Sequence, residues 1–375
     1  MSSIYIHIPY CKRVCYYCDF HFSVAMKNKD KLMNSLKQEL LMRKDYLSGA
    51  PLQSIYFGGG TPSVLEIAEV ADILNTIYAL HKVSSDAEIT FEANPDDLTK
   101  EYLTALRNLG INRLSIGVQS FHDKDLTWMN RRHNAADAER CIKLSQDCGF
   151  PNLNIDLIYG TPTLTSDLWQ ENLEKFASLD IPHLSAYHLT IEPKTVLGIW
   201  KKRGKLREIT EDESLKEFNM LVDFTSAHGY EHYEISNFCK DGKYSRHNLN
   251  YWMQGTYLGA GPSAHSYDGK SRQWNIALND SYIQKISQGL PYFEEEELSV
   301  SEQFNDYLLT HLRTRWGIQF DEVKTRFGEE YFRHLQKELS RYKDSGVLHI
   351  DSNGAALTTK GKLVADRVIS ELMWV

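Results

Sequence analysis

Cys11, Cys15 and Cys18 form a C-x3-C-x2-C cluster inside the run Y-I-H-I-P-Y-C-K-R-V-C-Y-Y-C-D-F. Three thiolates this close together point to a soft metal: an iron–sulfur cluster, zinc or copper(I) rather than a hard ion. A closed zinc site needs four ligands, and His7 or His21 would be the candidate fourth. Three ligands alone leave one iron of a four-iron cluster open to a substrate or cofactor, which is the arrangement for one-electron chemistry. The aromatic residues around the thiols, Tyr10, Tyr16, Tyr17, Phe20 and Phe22, would shield a cluster and tune its potential. Further along, Gly58, Gly59 and Gly60 close an apolar stretch and lead into Thr61-Pro62. Glycines there let the backbone approach a ligand closely, although a sharp turn would use the same residues.

These groups need a scaffold that gathers them. Short apolar strand candidates alternate with helical patterns, the mark of βα units around a parallel sheet. The strands are read at Ile4–Ile8, Ser54–Phe57, Glu88–Glu92, Arg113–Val118, Asn154–Ile158 and His183–Leu189. The helices are read at Lys29–Lys44, Glu66–Tyr78, Thr99–Leu109, Ala135–Cys148 and Trp169–Ala177. Six such units fit an α/β fold of the partial (β/α)6 barrel type. Gly58–Gly60, Glu92, Gln119 and Asp156 fall at strand C-termini, the rim where active sites of α/β folds sit. The pattern changes after Lys205. Glu208–His228 reads as a helix, His232–Ile235 as a strand, and Arg246–Tyr267 as a dense polar, aromatic and glycine-rich segment. The acidic run Glu294–Glu297 reads as a solvated face. From Ser301 the chain is mainly helical and ends as helix Phe332–Ser345, hairpin Val347–Leu357 and helix Lys362–Leu372, a winged-helix-like module. The expected divisions are 1–205, 206–298 and 299–375.

The chain of 375 residues has a formal charge of -8 with acidic and basic residues well mixed, which argues against a nucleic-acid carrier. No apolar run is long enough to span a bilayer, and no signal peptide precedes the first strand. Cys141, Cys148 and Cys239 are scattered and read as buried small hydrophobes, so a disulfide framework is not expected and the chain reads as cytoplasmic.

Taken together, Y-x-H-I-P-x-C-x3-C-x2-C-D-F, F-G-G-G-T-P-S, E-A-N-P, R-L-S-I-G-V-Q-S-F, N-I-D-L-I-Y-G-T-P and H-N-x2-Y-W resemble the radical SAM superfamily, and within it the HemN/HemW family. That family comprises oxygen-independent coproporphyrinogen III oxidases and HemW-type haem chaperones. The resemblance implies a 4Fe-4S cluster on Cys11, Cys15 and Cys18, with S-adenosylmethionine (SAM) bound at the open iron. It implies SAM contacts from Tyr5, Gly58, Gly59, Gly60, Thr61, Glu92, Gln119, Arg131 and Asp156. Three of these have a plainer alternative: Glu92 supporting the Asn94-Pro95 turn, Asp156 capping a turn, and Arg131 a solvated arginine, the role then open to the adjacent Arg132.

Oxidases of the family carry a fourth cysteine where this chain has Phe20, and a longer stretch before the motif. Both departures imply the HemW-type branch, with Phe20 as a cluster-shielding residue. Arg246, His247, Tyr251 and Trp252, together with His265, are then the candidate haem-binding residues, although either histidine could be purely structural. The implied cargo is haem or another porphyrin, and the implied partners are haem-requiring respiratory enzymes met peripherally at the inner face of the membrane. A coproporphyrinogen oxidase, and an interaction protein with a relic cluster, are the alternatives.

Overall fold

The computed structural model describes residues 1–375. Its main sheet has twelve strands. At its centre β1 (Ser2–Ile8), β2 (Leu52–Gly59), β3 (Val83–Ala93), β4 (Arg113–Gln119), β5 (Leu153–Tyr159) and β6 (His183–His188) lie in chain order and pair parallel. Helices Lys29–Met42, Ile67–Leu80, Lys100–Asn108, Ala135–Asp147 and Ser166–Ser178 return the chain between them. Thr99, Asn134 and Thr165 cap three of these helices by accepting a backbone N–H from the first turn. Strands β1 and β6 do not pair with each other, so the barrel is open, as the six βα units imply.

Side chains alternate along each strand. Ile4, Ile6, Ile8, Ile55, Phe57, Phe91, Leu114, Ile116, Ile155 and Leu184 join the main core with residues of the covering helices, such as Leu36, Ile73, Leu106 and Phe176. Each large apolar side chain buried this way contributes about 1.5–3 kcal/mol. The other set is polar and bonds across the lumen. Tyr56 donates to Glu92 (2.7 Å), Asn154 donates to Ser115 and Asp156 (2.8 Å each), and His183 Nδ1 meets Asn154 (2.6 Å).

The later segment extends both edges of the same sheet. At the β6 edge lie β7 (Glu231–His232) and β8 (Asn237–Cys239), both antiparallel. Of the strand expected at His232–Ile235, only His232 lies in β7. Glu234, between β7 and β8, forms a bridge to Thr314, and its buried carboxylate accepts from Asn237. At the other edge, β9 (Thr256–Ala260) runs parallel beside β1, and β10 (His265–Tyr267), β11 (Ser271–Asn275) and β12 (Phe293–Glu297) follow antiparallel. Glu294–Glu297 forms the exposed outer strand.

A second sheet, ordered β13 (Ile318–Gln319), β15 (Gly354–Leu357) and β14 (Leu348–Ile350), packs with C-terminal helices around a separate core that includes Phe304, Leu308, Leu312, Val323 and Leu335. Two helices here are shorter than their apolar patterns indicate. The first ends at Leu339 and tightens into the turn Ser340–Tyr342; the last begins at Ala365 after a separate turn, Thr359–Lys362. No helix is long and apolar enough to cross a membrane.

One buried carboxylate fastens the added strands to the barrel. Glu39, on the first helix, accepts from the Gly261 backbone N–H (2.8 Å), the Asn275 amide (2.8 Å) and the Tyr282 hydroxyl, with Arg43 beside it at 3.7 Å. Removing one member of such a network leaves buried groups unpaired. Glu39→Ala is expected to lower the free energy of unfolding by about 3 kcal/mol or more, read by urea denaturation, with Glu39→Gln losing less.

Candidate functional site

The C-terminal ends of β1–β6 and their loops surround a cavity of about 390 Å³. Cys11, Cys15 and Cys18 enter it from the loop after β1, Gly59, Gly60 and Thr61 from the end of β2, and Glu92 and Asn94 from β3 and its loop. Gln119, Arg131 and Asp156 complete the wall. The thiol loop is anchored at several points. Cys11 N–H donates to Ser23 O (3.0 Å), Tyr16 N–H to Met129 O (3.1 Å), and the Asn130 amide to Val14 O (2.7 Å). Arg131 donates to Cys15 Sγ (3.2 Å), Asn94 Oδ1 (2.5 Å) and Gly117 O (2.7 Å), while its buried Nε has no partner. Arg132 turns outward to Asp96 (3.0 Å), so the cavity holds Arg131 and not its neighbour.

The glycines let the end of β2 pack tightly against β1 and the loop after it. Gly59 has φ +108°, and a Cβ there would lie 2.7 Å from the His7 ring; at Gly60 a Cβ would lie 2.8 Å from Tyr10 O. Gln119 is itself held at a positive φ of 67°, beside an irregularity in the β4–β5 pairing, which turns its amide toward the cavity.

Burial dominates the electrostatics. It pushes Cys18 up to about 11, with the Cys15 and Cys11 thiols adding to the effect, and it raises Cys11 as well. Thiols in this setting ionise readily only against a cation, which suits a soft metal site. Glu92 is raised to about 7 by burial and by Asp156, against the opposing hydrogen bond from Tyr56. Asp156 is raised too, again mainly by burial. The donor set and the unpartnered Arg131 Nε fit a three-thiolate iron–sulfur cluster with a polar cofactor alongside.

Other sites named from sequence fall elsewhere. Tyr5 and Gly58 lie just beneath the cavity, next to Glu92. Phe20 is at the mouth with 73 % of its surface exposed, so it does not seal the thiols from water. Arg246, His247, Tyr251 and Trp252 share one short helix outside the cavity wall. Arg246 pairs with Asp86 near the start of β3 (3.1 Å). His247 is buried, with Nδ1 on Ser54 (2.9 Å), Nε2 on Tyr251 (2.9 Å) and its ring stacked on Tyr56. Both ring nitrogens are thus engaged within the protein. His265 lies outside this cavity, at the start of β10.

Asn94, Arg13 and Tyr187 line the cavity without having been singled out from sequence. Asn94 stands in the E-A-N-P motif and Tyr187 at the end of β6, the same rim position that marks Glu92 on β3.

Residues 5–176 match the radical SAM superfamily and residues 298–364 the HemN C-terminal domain. The chain is 35 % identical over 380 aligned positions to the haem chaperone HemW of Bacillus subtilis, covering 100 % of this chain and 99 % of that one. The chain belongs to the HemW branch of the HemN/HemW radical SAM family. A HemW of Mycobacterium tuberculosis is 31 % identical, over 99 % of this chain and 94 % of its own. The fold also matches that of the coproporphyrinogen III oxidase HemN of Escherichia coli, with a TM-score of 0.86 at 24 % identity, covering 99 % of this chain and 90 % of that one. In this HemW-branch chain Arg131 is the hub of the thiol loop. Arg131→Met is expected to reduce stability by about 2–3 kcal/mol and to speed alkylation of Cys15 severalfold, read by mass spectrometry of trapped thiols.

Proposed function

We propose that this chain is a haem chaperone that holds a 4Fe-4S cluster and SAM in the thiol-lined cavity and carries haem to haem-requiring respiratory enzymes. The observation that carries the reading is the end-to-end match with HemW haem chaperones. Phe20, standing where oxidases of the family have a fourth cysteine, supports it.

Cys11, Cys15 and Cys18 would hold three irons and leave the fourth to SAM. The Gly59–Gly60 backbone would take the methionine end, and Arg131 keeps one free N–H, on Nε, for its carboxylate. Glu92 and Asp156 would accept from the ribose hydroxyls, and the Gln119 amide offers both a donor and an acceptor. When bound, the cluster supplies the electron that splits SAM into methionine and a 5′-deoxyadenosyl radical. Delivery takes place through peripheral contact at the inner face of the membrane.

A second reading is favoured by the completeness of the cavity and by the shared fold. In it the chain is an oxygen-independent coproporphyrinogen III oxidase that converts two propionates to vinyl groups.

Two outcomes are expected. Glu92, near 7, passes from about one-tenth to about nine-tenths ionised between pH 6 and 8. Its carboxylate accepts from the ribose and attracts the sulfonium, so SAM affinity is expected to rise about tenfold over that range and to fall as the group protonates. Glu92→Gln flattens the profile, as calorimetry at several pH values will show. In the second experiment, anaerobically reconstituted protein is given dithionite, SAM and coproporphyrinogen III, with haem titrated in parallel. Stoichiometric haem binding without decarboxylation is expected; protoporphyrinogen IX formed over many turnovers would establish the oxidase instead. Failure to take up iron at all would leave a relic site.

A further inference from the structure

A second cavity, of about 420 Å³, opens at the far edge of the sheet. His265, Trp274 and Glu294 are direct partners across β10, β11 and β12, so their side chains stand in one row on one face. The row crosses two strand spacings, on the order of 10 Å. Ile276, Ala277 and Leu278 form an apolar wall, and Leu278 leaves 72 % of its surface to water. The His265 and Trp274 rings are 6.4 Å apart and inclined by only 31°, which leaves two flat surfaces along one side of the groove.

The histidines near this groove differ in their availability. His7 is held by Tyr5 on Nδ1 (3.2 Å) and by His21 O on Nε2 (3.1 Å), and both nitrogens of His247 are bonded. His265 bonds to nothing through its ring and faces open space. Burial and the Arg272 guanidinium hold its pKa below the usual value, so the imidazole is neutral and its lone pair is available.

Resting on the haem-chaperone reading above, we propose that this groove is the haem seat, with His265 the axial ligand and Trp274 and Leu278 covering the macrocycle. The imidazole donates a lone pair to the iron and no electron is transferred. Glu294, an anion at the end of the row, turns the propionates toward the open side. The openness of the groove suits a cargo that must be handed on. One groove wall also touches the thiol loop: Asn279, between the lining residues Leu278 and Ser281, bonds to His21 Nε2 (2.8 Å).

The test is a haemin titration of full-length, cluster-reconstituted protein under anaerobic conditions, followed at the Soret band. His265→Ala is expected to bind ~10-fold or more weakly and to lose the histidine-ligated spectrum. His265→Cys is expected to recover binding with a thiolate-type spectrum, and Leu278→Asp to weaken binding while keeping the wild-type spectrum. If wild-type protein binds haem and both His265 variants match it in affinity and spectrum, the seat lies elsewhere and the chaperone reading survives. If wild-type protein binds no haem, both fall.

Discussion

Six strands that all run the same way must end on the same rim, and the rest of this structure depends on that constraint. A parallel sheet satisfies its backbone only between neighbours, and each return must cross over through a helix. The helices bury Ile4, Phe57, Phe91, Ile116 and Ile155 on the outside. The alternate residues are left to a narrow lumen that opens into the thiol-lined cavity at Glu92 and Asp156, where Tyr56, Glu92, Asn154, Asp156 and His183 bond to one another. A lumen lined in this way is costly for charge, and the raised Glu92 and Asp156 express that cost.

Two cations manage the buried charge at two junctions. Arg131 ties the thiol loop to the ends of β3 and β4 through Cys15, Asn94 and Gly117. Arg43 sits beside Glu39 and donates to Ser266 (3.2 Å), so the first helix holds β10 as well as the turn after β9. His7 lies between these junctions, with Gly59 against its ring and Gly261 against its backbone. Strand β1 thus has the glycine-bearing end of β2 on one side and the added strands on the other.

Much of this was legible in residue order. Strand C-termini named Gly58–Gly60, Glu92, Gln119 and Asp156. Local patterning failed where pairing was non-local. Nothing in Thr256–Ala260 announces that it runs parallel to β1, about 250 residues earlier. The H-N-x2-Y-W segment promised a ligand because its composition suits one. Its helix places His247 against Tyr56, with both ring nitrogens bonded inside the protein. Phe20 was expected to shield the thiols, but the loop turns it outward.

The sequence by itself determined the chemistry available to this protein: three thiols within eight residues, a glycine loop, and carboxylates at strand ends. These are properties of residue type and short spacing, and they survive any arrangement of the chain. Only the tertiary structure decided which histidine is free, because availability depends on what lies opposite each ring nitrogen. His247 meets Ser54 and Tyr251 across nearly 200 residues of chain in one case and four in the other; His265 meets open space.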